Sequence, residues 1–460
     1  MTSDDKDTAT TIPSGHTRRD LLKAAPATGL LLGSGAFAGT MAGTMAATTR
    51  PARASNGPAP LQGPGIETTT GQALYTLPRD HAWHGGEFYQ SNDFNEWHYI
   101  TVLGRDLDTG ERISVFWVPL SQGWVAAEGR PLHNVLFAFH NLDTGEFHTA
   151  LLYITGPMTT EGSGPDAEDF HFRYQIDDGK SGFTTAYTHA NETWEFGGYT
   201  TEKDEWNEPF RLSMTSRAQA PGYAPMAYWG LESIGVDPQK RQNPETMYGL
   251  TIYYTAPDMA SSGELEVAGR TVRFEGTGWF EHQWGNFRNT YQYRYFWAWF
   301  RFEESGDLMT FRQYYAGEDF RNPNYNVNRY FHMDGETFER SYAFGPAFKL
   351  IPERMWTSEK SGIVYPWYGR IETPNGTYWY EPTLEEQEGL GFAGPYIEGV
   401  IQLREGGPNG PIVATGFCEM IMFTGTYDDG TDHSMGPPIS RGLPEDPTLP
   451  WTPSSHVSKD

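Results

Sequence analysis

Turns of one composition, set between runs that alternate apolar and polar residues, constrain this chain more than any other feature. The run Asn95-Glu96-Trp97-His98-Tyr99-Ile100-Thr101-Val102-Leu103-Gly104-Arg105 meets a turn at Asp106-Leu107-Asp108-Thr109-Gly110, and the pattern resumes from Ile113 to Val118. Successive side chains of a strand point to opposite faces, so two such runs around an Asp-Thr-Gly turn form a β-hairpin. The same form returns around Asp143-Thr144-Gly145 and Asp177-Asp178-Gly179. Consecutive strands on short loops close most readily into a barrel. The 52 glycines and 32 prolines among 460 residues exceed the ordinary share of about 12%, and Tyr, Phe, Trp and Thr are abundant. Apolar stripes of helical period are scarce after residue 55. A chain this long exceeds one ordinary core, so the expected fold is all-β with two consecutive antiparallel β-barrels, over 85–290 and 291–427. The stretch from Trp194 to Pro244, broken by Pro221, Pro225 and Pro238, reads as long loops over a barrel mouth.

The flanks read differently. Thr17-Arg18-Arg19-Asp20-Leu21-Leu22-Lys23 is a twin-arginine motif, followed by an apolar Gly- and Ala-rich run to about Ala47 and a small-x-small site at Ala52-Arg53-Ala54. Pro26 and several glycines make that run a poor membrane span and a good export segment. Residues 1–54 are therefore expected to be a signal peptide that engages the twin-arginine (Tat) export machinery, with a periplasmic or extracellular destination and no stable membrane span. A solvated linker is expected over 55–84 and a tail over 428–460.

The full chain carries a net charge of −26, which repels nucleic acid and anionic lipid. Only eight of the 33 basic residues are Lys, a balance that suits a salt-adapted protein, although a GC-rich genome produces the same Arg bias. If salt adaptation is the cause, thermal stability should rise with added salt, and a melting temperature highest in dilute buffer removes that reading. The lone Cys418 excludes an internal disulfide, and its apolar flanks read as a buried strand with an inert thiol.

The chemistry concentrates in Gly276-Thr277-Gly278-Trp279-Phe280-Glu281-His282-Gln283-Trp284-Gly285. Charged groups among large aromatics carry a desolvation cost and mark either a buried network or a reactive site. As a strand, this stretch presents Trp279, Glu281 and Gln283 on one face and Phe280, His282 and Trp284 on the other. Glu281 and His282 then cannot face one cavity. Glu96 and His98 share a face of the first hairpin.

Several of these residues, read in order, resemble one family. Glu96-Trp97-His98-Tyr99, Tyr253-Tyr254, Gly263-Glu264-Leu265, the central motif, Leu308-Met309, Tyr365-Pro366, Tyr396-Ile397-Glu398-Gly399 and Gly416-Phe417-Cys418-Glu419 resemble the carotenoid 1,2-hydratase superfamily, with its double lipocalin-like fold. The match runs from about residue 85 to 427. The resemblance implies two lipocalin-like barrels and, in its hydratase members, addition of water to a prenyl double bond without a cofactor. That step needs a strong positioned acid and a wall that holds a tertiary cation. The resemblance places the acid at Glu281, where the family more often has Asp. His98 stands where the family more often has Trp.

The expected site comprises Glu281 as acid, with His282, Glu96 and His98 as water-positioning groups. Trp97, Tyr99, Trp279, Trp284, Tyr293, Trp297 and Trp299 are the expected walls for an apolar, isoprenoid-type substrate. Glu398 and Glu419, in apolar strands, are expected to be structural. A carrier without chemistry and a pericyclase that only folds its substrate remain the alternatives. No histidine spacing of metal type occurs, since His140, His148 and His171 are scattered, and no phosphate-binding or nucleophile-elbow motif is present, so neither metal nor cofactor is expected.

Overall fold

The computed structural model describes residues 77–84, 94–125, 130–163, 169–204, 207–220, 224–225, 231–233, 250–286, 293–316, 329–344, 348–391 and 394–421. The expected signal peptide, most of the linker, the tail and the side chain of Tyr293 lie outside the described residues.

Two curled antiparallel sheets, half-barrels of lipocalin type, make up the fold, as the all-β expectation requires. The first sheet contains β1 (Phe94–Asp106), β2 (Arg112–Val125), β3 (Arg130–Asn141), β4 (Glu146–Ile154), β5 (Met158–Gly162), β6 (His171–Asp177), β7 (Ser181–Thr188), β8 (Thr193–Thr200), β9 (Phe210–Ala218), β10 (Ala224–Pro225), β11 (Leu231–Ser233), β12 (Leu250–Val267) and β13 (Arg270–Asn286). The second contains β14 (Tyr293–Phe302), β15 (Leu308–Ala316), β16 (Arg329–Met333), β17 (Arg340–Phe344), β18 (Lys349–Thr357), β19 (Val364–Thr373), β20 (Gly376–Pro382), β21 (Glu388–Gly391), β22 (Gly394–Glu405) and β23 (Ile412–Ile421). Among the described residues no helix is long and apolar enough to cross a membrane.

Both sheets share one plan. Spatial order runs β4-β3-β2-β1-β13-β12-β9-β8-β7-β6-β5 in the first and β17-β16-β15-β14-β23-β22-β20-β19-β18 in the second. In each, the opening strand pairs with the closing one, β1 with β13 and β14 with β23. That pairing brings the Glu96 and Glu281 motifs side by side although they are far apart in sequence. The hairpin turns form as their composition requires: Gly110 and Gly145 sit at φ +78° and +79°, a left-handed conformation that glycine adopts without a Cβ penalty.

The loop reading of 194–244 is corrected over 194–218, and most of 219–244 lies outside the described residues. β8 and β9 are paired strands of the first sheet, and Phe210, Leu212, Met214 and Ser216 alternate as buried positions with exposed neighbours. Serine and threonine between the apolar residues obscured a regular period of two.

Glycines at the head of the central motif have a packing reason. Gly276 faces Gly104 across the ladder, and a Cβ at Gly276 would lie 2.3 Å from the Leu103 carbonyl oxygen. Backbone must move to accept it. Gly276→Ala should therefore cost about 1–3 kcal/mol, read as a lower urea midpoint with an unchanged slope.

Candidate functional site

Strand parity divides the expected site into two clusters on opposite faces of the β1/β13 pair. Trp97, Tyr99, Trp279 and Glu281 point toward the second sheet. Glu96, His98, His282 and Trp284 point into the first. Glu281 is thus separated by the sheet itself from the three groups expected to position water for it, and the four do not form one site.

The face toward the second sheet is an aromatic core that contains carboxyls. Trp97, Tyr99 and Trp279 join Tyr295, Trp297 and Trp299 of β14 in one buried cluster. Trp297 stands edge-on to Tyr99 at 5.5 Å and to Trp279 at 6.2 Å, and Trp299 Nε1 donates to Thr101 Oγ1 at 2.8 Å. Within these walls Glu281 Oε1 accepts the Trp279 indole N–H at 2.8 Å. Glu398 and Glu419 lie directly opposite each other on β22 and β23. Tyr99 donates to Glu398 Oε2 at 3.3 Å, and Tyr295 donates to Glu419 Oε1.

Of the three buried carboxyls here, Glu281 and Glu419 share one guanidinium, that of Arg312, while Glu398 faces only the other two acids and Tyr99, so they cannot all ionise at ordinary cost. Burial pushes Glu281 up from the usual range, with Tyr253, Arg312 and Trp279 pulling it part of the way back. Burial, then the charge of Glu419, holds Glu398 well above that range. Glu419 is pushed up to about 8 by burial, against the pull of Tyr295 and Arg312. All three are therefore biased toward the protonated form, Glu419 up to about 8.

Glu388 shows what a structural carboxylate looks like in the same sheet. It accepts from Ser358 Oγ at 2.7 Å, Ser361 Oγ at 2.5 Å and the Tyr365 hydroxyl at 2.7 Å. Glu398, by contrast, leaves Oε1 without a hydrogen-bond partner among the described residues, and Trp297 Nε1 is in the same condition. Glu398 also lines a narrow crevice with Phe116, Leu136, Phe147, Leu390 and Tyr396. A buried acid that opens onto apolar space is more than a scaffold, and Glu398 is the second candidate proton donor of this face beside Glu281.

The opposite face holds a histidine network. Glu96 Oε1 lies 2.9 Å from His84 Nδ1 and 3.0 Å from His282 Nε2. His98 Nδ1 meets the Tyr174 hydroxyl at 2.9 Å, and its Nε2 reaches the His81 carbonyl at 3.0 Å. Burial lowers His98 to about 3 and drives His282 well below its ordinary value, so both rings are neutral. Trp284 stacks on His84 at 4.1 Å and belongs to this face, away from Glu281. His140 and His148 lie elsewhere, and neither joins the network.

Sequence reasoning missed His81, His84, Tyr254 and Arg312, and set Glu398 and Glu419 aside as structural. Spacing along the chain carried no sign of the histidine set, because Glu96 and His282 are 186 positions apart. The two glutamates did carry a signal: Glu419 is the lone charge of β23, and Glu398 is a charge set in the apolar first two-thirds of β22.

This arrangement, two lipocalin-type half-barrels with an acid-bearing aromatic core between them, defines a double lipocalin-like protein. A family model described as AttH-like matches residues 165–425, more than half of the chain, and the chain belongs to the AttH-like family. Similar solved structures agree on the fold. An AttH protein from Nitrosomonas europaea is 18% identical, with TM-score 0.56 over 78% of this chain and 98% of that one. Kievitone hydratase from Nectria haematococca is 16% identical, with TM-score 0.50 over 77% of this chain and 96% of that one. Among curated proteins no sequence matches.

Proposed function

We propose that the protein is a hydratase that adds water across an isolated C=C bond of an apolar, isoprenoid-type substrate, with the chemistry on the Glu281 face. The observation that supports this most directly is the set of three buried carboxyls, all held toward their protonated forms, inside an indole and phenol wall. An alkene is a very weak base, so only a carboxylic acid kept neutral at working pH supplies the proton.

In the proposed reaction Glu281 transfers its proton to one alkene carbon. The tertiary cation left on the other carbon is held by the faces of Trp279 and Trp297. Water bonds to that carbon, and its surplus proton returns to the Glu281 carboxylate, which restores the acid. Glu398 and Glu419 keep the surroundings in a protonated state and raise the cost of leaving Glu281 charged.

No metal or organic cofactor is required by these steps. Export through the twin-arginine pathway is part of the same proposal. Its support is the Arg18-Arg19 segment, which lies outside the described residues.

Incubation of the protein with acyclic prenyl compounds in ¹⁸O-labelled water tests the reading. Product that carries one label per added oxygen is the expected result. Tight binding of the same compounds without label or any change in their structure leaves a carrier. Cyclised product without label leaves a pericyclase.

A further inference from the structure

Across the sheet from Glu281, the fold assembles two imidazoles and a carboxylate that the alkene chemistry leaves unused. The candidate donor atoms of His84, Glu96 and His282 all fall within 4.8 Å of one another, and Glu96 Oε1 is 2.9 Å and 3.0 Å from the two ring nitrogens. Donors bound at about 2.0–2.2 Å to a zinc-type ion stand roughly 3–3.5 Å apart. The carboxylate is already close to ligand spacing from both rings. We propose that His84, Glu96 and His282 bind one divalent transition-metal ion, of which Zn²⁺ is the reference case. Two imidazoles with one carboxylate suit zinc, iron, cobalt or nickel and suit calcium or magnesium poorly.

The groups around the donors argue for a built site. His282 turns its second nitrogen, Nδ1, to the Asp80 carbonyl at 3.1 Å and to the Tyr254 hydroxyl at 3.0 Å. Metal-binding histidines are held by this kind of contact, which fixes the ring and its tautomer. Glu96 Oε2 accepts the His84 backbone N–H at 2.8 Å, which fixes the carboxylate in turn. Both rings are clamped by stacking, His84 on Trp284 at 4.1 Å and 4°, and His282 on His98 at 3.9 Å and 19°. Asp80 Oδ1 is 3.7 Å from the outer nitrogen of His84 and supplies further negative charge.

Exposure gives an approach path. The His84 side chain is 14% exposed, whereas Glu96 and His282 are 1% and 0%. An ion therefore comes in past His84 and keeps water on that side. Its ligands come from the segment before β1, from β1 and from β13, so binding would clip residues 77–84 to the closing seam of the first sheet.

The test uses the purified full chain without a tag, stripped with chelator and titrated with Co²⁺ and then Zn²⁺. The expected result is one ion per chain, a ligand-field spectrum of four- or five-coordinate Co²⁺ that Zn²⁺ displaces, and a melting temperature raised by either ion. His84→Ala should weaken binding by at least ~100-fold, and Tyr254→Phe, which keeps every proposed ligand but loses the hydroxyl's contacts to His282, His81 and the Asp80 carbonyl, by about 10–100-fold. His148→Ala, at the separate pair with Glu146, should leave affinity unchanged. No stoichiometric binding of either ion by the unaltered chain overturns the proposal. So does wild-type affinity in both His84→Ala and Tyr254→Phe; if the first fails to fold, the second decides. Neither outcome bears on ¹⁸O incorporation at the Glu281 face.

Discussion

Relative to Glu419→Gln, the unaltered protein should lose on the order of 5 kcal/mol of folding stability as pH rises from 4.5 to 8. The cause is the Glu419 carboxyl, whose usual value of 4.5 is pushed up to about 8 by burial. The folded state holds that proton across this window and the unfolded chain does not. Its contribution is therefore fully present below 4.5 and is lost as pH rises through 8, at about 1.4 kcal/mol per pH unit. Glu281 and Glu398 shift in the same direction and steepen the pH dependence of each protein, but both proteins carry them, so they do not create the difference between the two.

Buried neutral histidines act the opposite way. His98 and His140, both lowered to about 3 by burial, destabilise the fold as pH falls below 6.5. That effect is common to both proteins and cancels in the comparison. Urea midpoints at several pH values, taken for the wild type and for Glu419→Gln, give the difference directly. Parallel curves would show that Glu419 is ionised in the fold and would remove its bias toward the protonated form.

Much of this was legible in the residues because period two is a strict rule. With Gly276 to Gly285 as a strand, the separation of Glu281 from His282 follows, and in β1 so does the placing of Glu96 with His98 on one face. Which strands lie beside one another is not encoded by period. The contact of β1 with β13 arises from closure of the sheet, over a separation that local pattern cannot report. For that reason Glu96 read as a partner of the Glu281 chemistry, although the sheet stands between them. Glu398 and Glu419 were visible as charges in apolar strands. Their meaning depends on the second sheet placing them against Tyr99 and Glu281. Residues 77–84 held the least signal, since a three-residue helical turn, Arg79–His81, has no periodic pattern, yet that segment supplies His84, Asp80 and His81.

Glu281→Gln should reduce the rate of hydration by about 10²–10⁴-fold and leave substrate affinity nearly unchanged. The amide occupies the same space and can still accept the Trp279 indole N–H, so the aromatic wall and the binding surface persist. What it lacks is a proton acidic enough for an alkene. Loss of turnover with intact binding is the signature of a group used in the transition state. Single-turnover rates set beside binding of unreacted substrate, with both proteins, separate the two quantities. Glu281→Asp should fall between them, because the acid survives but withdraws by one methylene from the position fixed by Trp279.

The sign of the pH dependence follows from the same chemistry: the wild-type rate depends on the protonated acid and must fall as pH rises through its raised value, with no loss on the acid side until folding fails. Full activity in Glu281→Gln would transfer the acid role to Glu398, whose Oε1 faces the same core without a partner among the described residues. Glu398→Gln would then have to show the loss expected here, and retention of activity in both variants would leave the Glu281 face without a proton donor of its own.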